Sequence, residues 1–195
     1  SGVWRKDSLD SFEIRNKVIG IVGYGNIGSQ LSVICEALGM KVLYYDILDK
    51  LSIGNAKKCK SLNELLKNSD IVSLHVDGKK SNTNLISDKE FSIMKEKSIL
   101  VNYSRGNVVD IDSLIKNIKS KKLMGAALDV FPEEPSNNKE KFKSKVKGIE
   151  EIILSPHIGG STKEAQKNIG SYVPDKIIDF LSLIHISEPT RLHVI

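Results

Sequence analysis

Short apolar runs alternate with amphipathic stretches along most of the chain. Strand-like runs fall at Val18 to Val22, Lys41 to Tyr45, Ile71 to Val76, Ser98 to Asn102, Gly125 to Val130 and Ile152 to Leu154. Between them, apolar positions recur at helical spacing over Ile27 to Leu38, Leu62 to Lys67, Asp88 to Met94, Ile111 to Ser120 and Thr162 to Leu181. Runs that are apolar on both faces and alternate with helices predict a parallel sheet covered on both sides. The fold class is therefore α/β, a doubly wound parallel sheet. Right-handed crossovers place the loops after Val22, Tyr45, Val76, Asn102, Val130 and Leu154 along one sheet edge, where ligands bind in such folds. The one long irregular connection, Pro135 to Glu151, is rich in lysine and reads as an exposed loop. There is no internal repeat.

The first strand stops at Gly23, and "GYGNIG" places Gly23, Gly25 and Gly28 at the spacing G-x-G-x-x-G before an amphipathic stretch begins. Strand, tight turn, helix is the context this motif requires. Gly23 permits the turn, Gly25 lets a pyrophosphate approach the backbone, and Gly28 lets the helix pack against the sheet. The amides of Asn26 and Ile27 then face the phosphates from the positive end of the helix. The second half of the fingerprint is an acid at the end of the next strand, and "KVLYYD" supplies Asp46. A carboxylate there accepts from ribose hydroxyls and repels a 2′-phosphate. With Ile47 and Leu48 following rather than arginine, the expected cofactor is NAD, on a Rossmann-type domain.

Composition narrows the remaining classes. The chain has 195 residues, with 29 Lys and Arg against 24 Asp and Glu, a net charge of +5. The excess lies in scattered lysines with few arginines, which reads as solvated helix surface and argues against nucleic acid as a partner. No apolar run approaches the ~20 residues of a membrane span, and Ser1 to Asp10 lacks the apolar core of a signal peptide. A cytoplasmic location is expected. Cys35 and Cys59 have no His or second Cys at ligand spacing, so neither a metal site nor a disulfide framework is indicated, and both read as reduced buried thiols. The stretch "LSLIHISEPTRLHVI" breaks the style of the rest and resembles the translation of a transposon-type sequencing adapter. Residues 181–195 are thus expected to be non-native, which sets His185 and His193 aside.

Three more strand ends carry chemistry: "VNYSRGNVVD", "AALDVFPEEP" and "LSPHIGGSTKEAQ". Singly, Arg105 reads as an ion-pair partner, Glu134 as a loop acid and His157 as a satisfied histidine. Together at one sheet edge they read as a catalytic set.

With "GVW" at Gly2, "IGIVGYGNIGSQL", "YYDI" and "PHIGGSTKEAQKNIG", these segments resemble the D-isomer-specific 2-hydroxyacid dehydrogenases from Gly2 to about Phe180. "GGST" and "EAQ" together look more like phosphoglycerate dehydrogenases than lactate or formate dehydrogenases. The resemblance implies NAD-dependent oxidation of a small 2-hydroxy acid, 3-phospho-D-glycerate, with Arg105, Glu134 and His157 as catalytic residues. It implies cofactor contacts at Asn26, Ile27 and Asp46, at Tyr103, Ser104 and Arg105, at Asp129, and at His157, Ile158, Gly159 and Gly160. His75, in "SLHVDG", matches the family's strand end beside the adenosine, but Asp77 stands where proline is usual, which leaves the shape of the next loop open. Tyr103 replaces a small residue, so either the nicotinamide pocket is narrower or the ring turns outward. The resemblance also implies a homo-oligomer, and a substrate-binding domain of which this sequence carries no part, residues 1–180 being the NAD-binding domain. Another 2-hydroxy acid as substrate, or a non-catalytic NAD-binding sensor, are the alternatives. A substrate panel separates the first, and the joint presence of Arg, Glu and His weighs against the second.

Overall fold

A computed structural model describes Trp4, residues 11–137 and residues 139–182. It contains one sheet of seven strands, all parallel: β1 (Val18–Val22), β2 (Lys41–Tyr45), β3 (Lys57–Lys58), β4 (Ile71–Leu74), β5 (Ser98–Asn102), β6 (Leu123–Leu128) and β7 (Ile152–Leu154). Their spatial order is β3-β2-β1-β4-β5-β6-β7. The order reverses direction between β1 and β4, the switch point beside which doubly wound sheets bind ligands. Helices α1 (Asn26–Ala37), α2 (Leu62–Asn68), α3 (Asp88–Ile93), α4 (Ile111–Lys119) and α5 (Lys163–Leu181) complete the chain.

Each helix forms where its signals fall. Gly28, Ser32 and Cys35 make the buried stripe of α1. Asp110 caps α4 by accepting from the amides of Asp112 and Ser113, and Ser87 with Glu90 forms a capping box on α3. The core is in two parts. One gathers Leu65, Leu66, Val72, Leu74, Phe91, Leu100, Leu114 and Leu128 under α2, α3 and α4. The other packs Ile19, Ile21, Cys35, Val42 and Tyr44, with Tyr24 stacked on Tyr44 at 3.8 Å between ring centroids.

Chain contacts divide the molecule into two units, residues 1–155 and 156–195. The first holds the whole sheet. The described part of the second consists of the turn 156–162 and α5, whose N-cap Thr162 accepts from the amide of Ala165 at 3.1 Å. Of the expected non-native tail, Leu181 and Ser182 end α5, and 183–195 lie outside the described residues. Among the described residues no helix is long and apolar enough to cross a membrane.

Several expectations need correcting. β4 ends at Leu74 rather than Val76, and β6 runs from Leu123 to Leu128 rather than from Gly125 to Val130. The connection after Pro135 is not simply an exposed loop: Val146 is fully buried in the core and Phe142 packs edge-on to Phe131 at 4.6 Å. Its apolar residues cover the sheet end while its lysines face water, a division that the run of charges conceals in the sequence.

Both cysteines are free and buried. Burial raises the pKa of each, and the Cys59 thiol, with the Glu64 carboxylate adding to the effect, is pushed up to about 11. Thiolate being the reactive form, neither thiol is expected to react with a disulfide reagent at pH 8 in the folded chain, while both react in denaturant. Labelling of the native protein at the denatured rate would contradict this packing.

Candidate cofactor and active site

Gly23 has φ of +92°, and a Cβ there would lie 2.5 Å from the His75 carbonyl oxygen. The turn and the close approach of β1 to β4 both demand glycine at this position. A Cβ on Gly28 would meet the Gly23 carbonyl oxygen at 2.2 Å, so the helix is drawn tight against the turn. Gly25 differs, since a Cβ there would have no heavy atom within 4 Å. Its outer side is an open cradle at the start of α1. The first helical bond is donated by Ser29 to the Gly25 carbonyl, and no side chain caps this helix. The amides of Asn26, Ile27 and Gly28 are left to an anion.

Asp46 is fixed to that turn. Its Oδ2 accepts from the Tyr24 amide at 2.7 Å and its Oδ1 from the Leu48 amide at 2.8 Å. A carboxylate has about four acceptor positions, so roughly two remain for ribose hydroxyls. Open cradle, unspent amides and anchored acid together fit the diphosphate and ribose of a dinucleotide.

His75 follows β4, and its amide donates to the Val22 carbonyl at 2.7 Å. The ring Nε2 lies 2.9 Å from the Ser73 hydroxyl, and Nδ1 is buried with no hydrogen-bond partner among the described residues. Burial lowers its pKa, because the imidazolium would enclose a second N–H with nothing to accept it. The unfolded chain, titrating near 6.5, then binds more protons than the folded one just below that pH. Stability from this residue is present above about pH 6.5 and falls as the pH drops through and below it. Denaturant unfolding at pH 7.5 and 5.5 is expected to show a larger loss for the wild type than for His75→Gln; equal losses would contradict it.

The loop opened by Asp77 closes through that residue's own carboxylate, which accepts from Asn82 Nδ2 at 2.8 Å and pairs with Lys79 Nζ at 2.7 Å. Aspartate thus does by hydrogen bonding what proline does by covalent restraint. Gly78 in this loop lies against the stem of Arg105, its notional Cβ 3.0 Å from the arginine Cγ.

The "NYSRG" turn is organised by Asn102, a buried residue that inspection of the sequence passed over. Its Oδ1 accepts from both the amide and the hydroxyl of Ser104, at 3.1 and 2.8 Å, and its Nδ2 donates to the Arg105 carbonyl at 3.0 Å. Ser104 is therefore part of the frame of this turn. Arg105 Nη1 donates to the Ser104 carbonyl at 2.6 Å, leaving four of the five guanidinium N–H groups for other acceptors. Tyr103 is 45% exposed, its hydroxyl accepting from that of Ser155 at 3.3 Å. Ser155, at the end of β7, donates to Asp129 Oδ1 at 2.6 Å. It too escaped the sequence reading, lost among loop serines.

A Cβ on Gly106 would lie 2.0 Å from the carbonyl carbon and oxygen of Phe131. The "SRG" and "FPEEP" turns thus touch backbone to backbone. Glu134, in the second of these, accepts from the Phe131 amide at 3.0 Å through Oε1. The first unit therefore brings the glycine turn, Asp46, His75, Tyr103, Ser104, Arg105, Asp129 and Glu134 to the C-terminal edge of the sheet. His157, Ile158, Gly159 and Gly160 belong to the second unit. There His157 is exposed with φ of +52°, and the turn after it is closed by the Ser161 amide donating to Ile158. Among the described residues no three His, Cys, Asp or Glu side chains cluster as metal ligands would.

Residues 1–159 match the family model described as the D-isomer specific 2-hydroxyacid dehydrogenase, NAD binding domain. The chain belongs to this family. D-3-phosphoglycerate dehydrogenase of Haemophilus influenzae is 51% identical to it over 179 residues, covering 92% of this chain and 44% of the relative. The enzyme of that name from Dictyostelium discoideum is 50% identical over 180 residues, again 92% and 44%. The chain thus spans less than half the length of these two relatives. Among solved structures, D-lactate dehydrogenase with NAD+ from Lactobacillus jensenii superposes with a TM-score of 0.76 at 34% identity, covering 85% of this chain and 52% of that one. The domain is an NAD-binding domain of 2-hydroxyacid dehydrogenase type.

Proposed function

We propose that this domain serves the NAD-dependent oxidation of 3-phospho-D-glycerate to 3-phosphooxypyruvate, the entry step of L-serine biosynthesis, within an enzyme of the length of its relatives. The observation that carries the reading is the contact at Gly106, which holds the Arg105 and Glu134 turns together on the edge that bears the glycine turn. A module that only bound NAD would have no need of that pairing. The identity to two phosphoglycerate dehydrogenases directs the substrate choice.

In this reading Arg105 grips the substrate carboxylate and 2-oxygen with its planar fork. His157 takes the proton of the 2-hydroxyl, an imidazole being able to serve as base in one direction and acid in the other. Glu134 is assigned the part that the resemblance implies for it, the carboxylate that favours the protonated form of the base. NAD, when bound, supplies the acceptor for the hydride that leaves C2 as the C–O bond becomes a carbonyl. Asn26 and Ile27 hold the diphosphate and Asp46 the ribose, with Tyr103, Ser104, Asp129 and the 157–160 segment toward the nicotinamide. We further infer a cytoplasmic enzyme, and a homo-oligomer supported by the exposed apolar Val33 and Ile34 on α1 and Leu38 at its C-cap.

The test is a panel of 2-hydroxy acids on the full-length enzyme with NAD. The highest kcat/KM is expected for 3-phospho-D-glycerate. A higher value for lactate or another unphosphorylated acid would assign a different member of the family, and no oxidation of any would leave a binding module.

A further inference from the structure

The edge strand β3 carries two lysines to the adenosine end of the cleft. Its register pairs Lys57 with Leu43 and Lys58 with Tyr44, and the Cys59 amide donates to the Tyr44 carbonyl at 2.8 Å. Lys60 follows two residues beyond Lys58, past the end of the strand. Partners in an aligned parallel ladder share a face, so Lys58 lies on the side of Tyr44, and Lys60 and Asp46 meet it in the cleft beyond the two strand ends. Tyr45, Asp46, Ile47, Lys58, Cys59 and Lys60 line a single open cleft of about 470 Å³.

Neither lysine is firmly committed elsewhere. Lys58 Nζ lies 2.5 Å from Asp49 Oδ1, but the Asp49 side chain is 96% exposed, and an ion pair in that setting is weak and easily exchanged. The Lys58 pKa is raised, first by the hydrogen bond to Asp49 and, among smaller causes, by the charge of Asp46. The Lys60 amide is tied to Glu64 Oε2 at 2.7 Å, which fixes the residue's backbone, while its ammonium has no acidic partner among the described residues.

A phosphate group on the adenosine ribose would bring a charge of about −1.5 to −2 into this cleft. Asp46 repels it, and the two lysines lining the same cleft attract it. Lysine binds phosphate as a point charge and needs no bidentate geometry. We propose that Lys58 and Lys60 form a subsite for the 2′-phosphate of NADP(H), so that the domain accepts NADP(H) as a second cofactor and prefers NAD through Asp46 alone. The proposal rests on the reading of this edge as the cofactor cleft.

The test titrates NADH and NADPH separately into the wild type, Lys58→Gln/Lys60→Gln, Asp46→Asn and the control Lys119→Gln/Lys121→Gln, following cofactor fluorescence. The wild type is expected to bind both, NADH more tightly. The Lys58/Lys60 variant is expected to lose about tenfold in NADPH affinity, as for one or two charged hydrogen bonds, with NADH affinity within about twofold and the control unchanged. Asp46→Asn, nearly isosteric, is expected to tighten NADPH. An unchanged NADPH affinity in the Lys58/Lys60 variant, or an equal loss for both cofactors, overturns the subsite. If the wild type binds neither cofactor, the cleft reading itself falls, and the subsite with it; NADH binding in the Lys58/Lys60 variant and a melting curve for Asp46→Asn report that the fold is intact.

Discussion

In the full-length enzyme, His157→Gln is expected to lower kcat by about 10²–10⁴-fold, the range over which a positioned acid–base group acts. NADH affinity is expected to stay within about twofold, because the role proposed for the imidazole is proton transfer and not cofactor binding. Glutamine keeps a hydrogen-bonding side chain of similar reach but cannot exchange a proton near neutral pH. The φ of +52° at His157 is tolerated by several residue types in turns, so the substitution leaves the chain path available. Steady-state kinetics with NADH titration measure both quantities. Turnover within a few-fold of wild type would remove His157 from the role of base.

Gly23→Ala is expected to cost roughly 2–5 kcal/mol, adding about 1–2 kcal/mol for a non-glycine residue in the left-handed region to about 1–3 kcal/mol for overpacking. The clash cannot be relieved cheaply. The atom 2.5 Å from the new methyl is the His75 carbonyl oxygen, and that residue is itself bonded through its amide to Val22 at 2.7 Å. The melting temperature should fall by roughly 5–15 °C for a domain of this size, with NADH binding lost as the turn opens. Melting within a degree of wild type would mean that β1 and β4 are not as close as the structure places them.

Much of the architecture could be read from the pattern of residues, because fully buried parallel strands leave continuous apolar runs and the helices carry their caps. β3 could not. Lys57 and Lys58 offer no apolar signal, and the strand exists because its backbone completes the edge of β2 beside Tyr44. The glycine turn was legible because each glycine answers a separate steric demand, two of which are met by backbone atoms at 2.2 and 2.5 Å. Arg105 and Glu134 stood out in the sequence as candidates, whereas the supports beneath them did not. Asn102 looks like the end of an apolar run, and only the three bonds it makes within "NYSRG" reveal why a polar residue is buried there. Val146 was hidden by the lysines around it.

The most direct measurement is an NADH titration of wild type and Gly25→Val, each with a melting curve. A Cβ at Gly25 meets nothing of the protein within 4 Å, so the variant should melt within about 4 °C of wild type, the small difference reflecting a poorer N-cap. If the open cradle is where the diphosphate lies, the wild type binds NADH saturably and the folded variant does not. A folded Gly25→Val protein that binds NADH as tightly as wild type, or a wild type with no saturable binding, would contradict the placement of the cofactor on this turn.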